Sequence, residues 1–140
     1  MPNDPAKDIR ERAFGFGCRV ARLALSLAPR PGIRGLVDQL LRAGTSIGAN
    51  LEEAKAASTK REFLRDVEIS LREAREAWYW LRIYKELQLG DPRTVLELVN
   101  EADSIIRILT AIVISTKRRM VTVAVVSAFC ILNSALLFSS

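Results

Sequence analysis

The chain has no histidine, only two cysteines, and few glycines and prolines, and each shortage removes a class of function. Without histidine it lacks the commonest ligand for transition metals and the one side chain whose unperturbed titration falls near neutral pH. A ferritin-like dinuclear site in a helical bundle requires Glu-x-x-His on facing helices. The paired carboxylates Glu52–Glu53 and Glu73–Glu76 therefore read as partners for arginines, with a purely carboxylate cation site as the minor alternative. Cys18 and Cys130 are too far apart in sequence for a zinc or redox motif. Cys18 has no histidine to activate it as a nucleophile, so a reduced compartment and no enzyme activity are expected. We expect no cofactor and no metal. Glycine and proline number seven and five, and they gather at positions that read as helix ends. The opening MPNDPAKDIRER is too charged for a signal peptide.

Charge is missing from one region altogether, because residues 120–140 carry none. The excess of +5 lies elsewhere: residues 1–34 hold seven basic and three acidic groups, and residues 35–116 hold eleven basic and thirteen acidic groups. Lys117, Arg118 and Arg119 then precede the uncharged stretch. Such asymmetry has two readings of equal standing: a surface for nucleic acid or an anionic membrane, and plain solvated helix faces.

What is present is helical periodicity in four segments. Ile9, Ala13, Phe16, Val20, Leu23 and Leu27 recur at spacings of four and three, until Pro29-Arg30-Pro31-Gly32 stops the run. Ile33, Val37, Leu40, Gly44, Ile47, Leu51 and Ala54 repeat the pattern, with Gly44 and Gly48 marking a close approach between backbones. Thr59 and Glu62 fit a capping box at the next start. Leu64, Val67, Leu71, Ala74, Trp78 and Leu81 then form a stripe, widened by Phe63, Ser70, Ala77 and Tyr84, with Glu68–Arg72 and Arg72–Glu76 pairs on the outer face. Leu89-Gly90-Asp91-Pro92 supplies a glycine C-cap, an aspartate N-cap and a first-turn proline. The fourth segment runs through Val95, Leu98, Ala102, Ile105, Leu109 and Val113. The expected fold is all-α, an antiparallel up-down-up-down four-helix bundle over residues 1–119. An apolar, helical tail follows over residues 120–140.

Within the bundle, Ser46 reads as bonding back to its own helix, and Asn50 as reaching across to another helix and fixing register. Trp78 belongs on the core stripe. Tyr79 and Trp80 cannot share it fully, and are expected to meet a neighbouring copy or another protein, since aromatics favour interface cores. The candidate phosphate contacts are Arg10, Arg12, Arg19, Arg22, Arg30 and Arg34, with Lys117, Arg118 and Arg119 at the end of the last helix. RNA or DNA held this way would be bound without sequence preference and with strong salt dependence.

The tail, MVTVAVVSAFCILNSALLFSS, has Asn133 as its one strongly polar group. Its length suits one membrane crossing, and Lys-Arg-Arg before it fits a cytoplasmic flank. The readings of the tail are a C-terminal membrane anchor, an extension of the fourth helix into an oligomer interface, or an accidental extension of the gene. The expected location is cytoplasmic, with a membrane-anchored bundle as the alternative.

The stretches RAGTSIGANLEEAKAA (42–57), EF (62–63), EISLREAREAWYWL (68–81) and ADSIIRILTAIVISTKRR (102–119) resemble the four helix bundle family that includes proteins encoded in intervening sequences of bacterial 23S ribosomal RNA genes. The resemblance implies a helical bundle that assembles into a ring-like homopentamer, with no established enzyme activity. A related branch, the accessory proteins of diversity-generating retroelements, implies nucleic acid and a reverse transcriptase as partners. The motif positions carried over are Arg42, Ser46, Asn50, Glu52, Glu53, Glu73 and Trp80, with structural or interfacial roles. The uncharged tail departs from the family pattern.

Overall fold

The computed structural model describes residues 5–138; the charged opening residues 1–4 and the last two residues of the tail, 139–140, lie outside the described residues. Four helices account for nearly all of it: α1 (Pro5–Ser26), α2 (Ile33–Ala56), α3 (Lys60–Glu86) and α4 (Pro92–Phe138). No strand occurs among the described residues. The first three have the length of the apolar runs that specify them. The fourth has 47 residues, because nothing after Arg119 breaks it: the tail contains neither glycine nor proline and continues the same helix.

Each helix packs against its neighbours in the opposite sequence direction. Gly48 lies against Ala13 and Phe14, and Gly44 against Val20. Ser70 bonds Ile47, and Arg42 pairs with Glu73 and Glu76. Arg12 reaches Glu101, and Arg19 reaches Glu97. The core between them holds Phe16, Val20, Leu40, Ile47, Leu81, Leu98, Ile105 and Leu109, none more than 1% exposed. A side chain of this size contributes about 1.5–3 kcal/mol when fully buried.

The core stripe of α3 is rotated from its sequence expectation. Ser70, Ala77 and Tyr84 are fully buried, whereas Leu64 and Trp78 are only half-buried. Ser70 and Ala77 lie at the close approach between helices, and Tyr84, among the largest fully buried side chains, fills the C-terminal end of the stripe. Ser70 is tolerated at the centre because its hydroxyl donates to the Ile47 carbonyl at 2.9 Å. The Tyr84 hydroxyl is buried without a hydrogen-bond partner, and burial, with Asp38 second, pushes its pKa up to about 12.

The connections follow local chemistry. Thr59 accepts from the Glu62 amide at 3.1 Å while the Glu62 carboxylate takes the Ser58 and Thr59 amides, the reciprocal arrangement of a capping box. After α3, the Leu89 amide donates to the Tyr84 carbonyl and the Gln88 amide to the Lys85 carbonyl, a Schellman motif. The left-handed residue of that motif is Gln88, at φ 55°, rather than Gly90. Gly90 serves the turn beyond it, at φ 76°, where an added Cβ would stand 2.5 Å from Leu23. Asp91 then caps α4 by accepting from Thr94, and those hydrogen bonds lower its pKa.

Candidate assembly face and cationic ends

The outward surface shared by α2 and α3 gathers three of the motif positions. Arg42, exposed on α2, faces Glu73 and Glu76, which lie one turn apart on α3. Its guanidinium donates to Gln39 and to Glu76, and stands 3.6 Å from Glu73. One Glu73 oxygen is buried with no hydrogen bond, so its compensation is this ion pair. The Trp80 indole N–H donates to Glu76 at 3.3 Å, and the Tyr79 ring meets Trp80 edge to face at 5.2 Å. Arg82 lies over the Trp78 ring at 4.5 Å. Of the three consecutive aromatics, Tyr79 offers surface, at 54% exposure; Trp78 and Trp80 pack half-buried against the core.

Asn50 does not reach another helix. Its amide donates to the Ser46 carbonyl at 2.7 Å, and the Ser46 hydroxyl donates to the Arg42 carbonyl at 2.6 Å. The polar residues of α2 thus satisfy themselves along their own backbone, and Ser70 makes the cross-helix bond instead. Their small size leaves the α1–α2 approach to Gly44, where a Cβ would come within 2.9 Å of Val20, and to Gly48, where the nearest atoms lie at 3.5 Å. The Glu68–Arg72 and Arg72–Glu76 pairs expected along α3 are likewise replaced. Glu68 holds Lys117 at 2.6 Å, and Glu76 holds Arg42.

The candidate phosphate contacts fall into two separated groups and a set already engaged. Arg12 grips Glu101 with two hydrogen bonds of 2.9 Å and also donates to Ser104. Arg19 holds Glu97 at 2.8 Å, with Arg93 on the same carboxylate. These pairs clip α1 to α4, so Arg12 and Arg19 are occupied in the fold. Glu97, Glu101 and Ser104 follow a four-three spacing beside the α4 core stripe, a register that matches two arginines seven apart and from which the pairing is legible, although both arginines read in sequence as phosphate contacts. Arg30 and Arg34 are exposed at the α1–α2 turn and form no ion pair among the described residues; Arg22, exposed near the end of α1, lines a separate cleft with Asp91 and Thr94 at the start of α4. Arg118 and Arg119 are exposed beyond the opposite end, past Lys117 and the α2–α3 corner. The 24 residues of α2 separate the ends by about 36 Å at 1.5 Å per residue. The structure therefore does not bring the two sets of cations together on one patch.

Among the described residues, no group of three His, Cys, Asp or Glu side chains is placed to hold a metal ion, and both cysteines are free.

A family model described as 23S rRNA-intervening sequence protein matches residues 7–111. Among solved structures, one from Bacteroides thetaiotaomicron, described as a protein with unknown function from the S23 ribosomal protein family, is similar. It is 26% identical with a TM-score of 0.69, over 79% of this chain and 98% of its own. No curated protein matches. Both matches carry descriptions without an enzymatic activity, and the family match ends within α4, before the uncharged stretch.

Proposed function

Since the chain belongs to the 23S rRNA-intervening sequence protein family, we propose that it is a non-enzymatic, self-assembling accessory protein that holds RNA by its phosphates at the α1–α2 end of the bundle. The observation that carries this reading is the pair Arg30 and Arg34, exposed at the turn with no ion pair among the described residues and with Arg22 at the same end, while Arg12 and Arg19 of α1 are bound to α4. Arginine presents a planar fork of donors suited to phosphate. A ring of several copies, five in the arrangement we favour, would repeat the group around one axis and convert weak subunit contacts into avid binding. Assembly would use the α2–α3 face, where Tyr79 is exposed beside the Arg42–Glu73–Glu76 cluster.

Fluorescence anisotropy with a labelled, structured RNA tests the binding. The expected result is association at about 50 mM salt that weakens steeply by about 200 mM, as counterion release requires. Arg30→Ala with Arg34→Ala should weaken it about tenfold, one to two phosphate contacts at low salt. Absence of binding at low salt would remove the proposal. Light scattering of Tyr79→Ala and Trp80→Ala tests the assembly face: a fall in mass is expected, larger for Tyr79, and an unchanged mass for both would place the interface elsewhere.

A further inference from the structure

The uncharged part of α4 has no place in the bundle. Val113 is its last buried side chain, and the Lys117–Glu68 ion pair is the last tie to α3. Beyond it, Val121, Val123, Val126, Phe129, Ile131 and Leu132 are each more than half exposed. At 100° per residue these six point around the whole circumference rather than along one stripe. The stretch does hold a four-three seam, Val125, Phe129, Leu132 and Leu136, but a partner helix would cover only that stripe and leave Val123, Val126 and Ile131 in water; apolar residues on every side match a solvent that is itself apolar. The 19 residues of α4 from Met120 to Phe138 extend about 28 Å, close to the ~30 Å thickness of a bilayer hydrocarbon core. Two of its hydroxyls need nothing from outside: Thr122 donates to the Arg118 carbonyl and Ser134 to the Cys130 carbonyl, each at 3.0 Å. Hydrocarbon demands that kind of internal satisfaction.

We propose that α4 from Met120 onward is a transmembrane span in an anionic phospholipid bilayer, with Arg118 and Arg119 as its collar against the headgroups. Cationic residues at this boundary favour the bundle on the cytoplasmic side. Because α4 carries no proline or glycine between Arg93 and Phe138, the bundle stands on the membrane without a built-in hinge. Its α2–α3 corner faces the lipid, and Arg22, Arg30 and Arg34 stand at the far end, in water. The inference does not rest on RNA binding, and either can fail alone.

The test uses the full chain, synthesised without cells in the presence of vesicles of about three parts phosphatidylcholine to one part phosphatidylglycerol. The chain should float with the vesicles and stay with them through high-salt and alkaline carbonate washes. Val126→Asp with Phe129→Asp, two substitutions outside the bundle, should cut the floated fraction about tenfold, because carboxylates in mid-span are expelled. Circular dichroism should show the bundle of that variant intact. Cys130 is a built-in reporter: on a Cys18→Ser background it should react with a membrane-impermeant maleimide only after the vesicles are dissolved. Loss of the protein in the salt wash, flotation of the double aspartate variant at the wild-type level, or labelling of Cys130 in intact vesicles would overturn the proposal. So would a lipid-free oligomer in light scattering that the double aspartate variant dissolves, which would make the segment an interface between copies.

Discussion

The two halves of α4 are both rich in apolar residues but arrange them differently, and only the first half carries charge. From Val95 to Val113 the apolar residues recur at three and four, and one face of the helix lies in the core. From Val121 to Leu136 they occur at nearly every position, and the whole surface is exposed. Periodicity separates them, because a stripe needs a protein partner and an unbroken cylinder does not. The boundary is chemical as well: Lys117 still belongs to the bundle through Glu68, and Arg118 and Arg119 do not.

Matched leucine truncations give the sharpest contrast. Leu109→Ala should destabilise the bundle by about 2–5 kcal/mol, because a fully buried side chain leaves a cavity. Leu132→Ala, 62% exposed, should change bundle stability by less than about 0.5 kcal/mol. Chemical denaturation of both variants in one detergent reads the difference, and equal losses would dissolve the distinction between the halves. The second effect is alkaline. Tyr84 has its folded pKa raised, so the folded state keeps a proton that the unfolded state gives up. Its contribution is intact below pH 10 and lost as pH climbs toward about 12, roughly 2–3 kcal/mol over that window. In Tyr84→Phe that alkaline slope should disappear, and stability at neutral pH should rise by about 1 kcal/mol, since the unpartnered buried hydroxyl is gone.

Smaller effects probe how tightly the packed region is built. Gly44→Ala meets Val20, a fully buried β-branched side chain, at 2.9 Å and should cost about 1–3 kcal/mol. Gly48→Ala finds ordinary contact distances and should be neutral or stabilising by up to about 1 kcal/mol through helix propensity. Thermal melts that ranked them the other way would show that the α1–α2 approach is not set by Gly44. Smallest of all, Gln88→Gly should stabilise by about 0.5–1 kcal/mol, relieving the left-handed backbone of the Schellman turn.

Much of the bundle could be read from sequence because three of its four segments keep a four-three seam between clear stop signals. The Thr59–Glu62 cap was legible for the same reason: it depends on residues three apart. What sequence order hides is what lies across the space between helices. Arg12 and Arg19 read as free cations until Glu101 and Glu97 are placed opposite them. Asn50 read as the cross-helix bond, but Ser70, small enough for the tight centre of α3, makes it. The stripe of α3 was misjudged by size, since Leu64 and Trp78 outweigh Ala77 and Ser70 in a hydrophobic pattern while close packing selects the smaller residues. The length of α4 was hidden by the change in pattern at residue 120, which alters what the helix faces without ending it.

The division of the cations between two ends of the bundle is the claim on which both proposals meet, and paired charge reversals in the full chain measure it directly. In detergent, Arg30→Glu with Arg34→Glu should abolish the anisotropy signal with structured RNA, and Arg118→Glu with Arg119→Glu should leave it at the wild-type level. If the reversal at Arg118 and Arg119 removes RNA binding while that at Arg30 and Arg34 does not, the assignment of the two ends is contradicted.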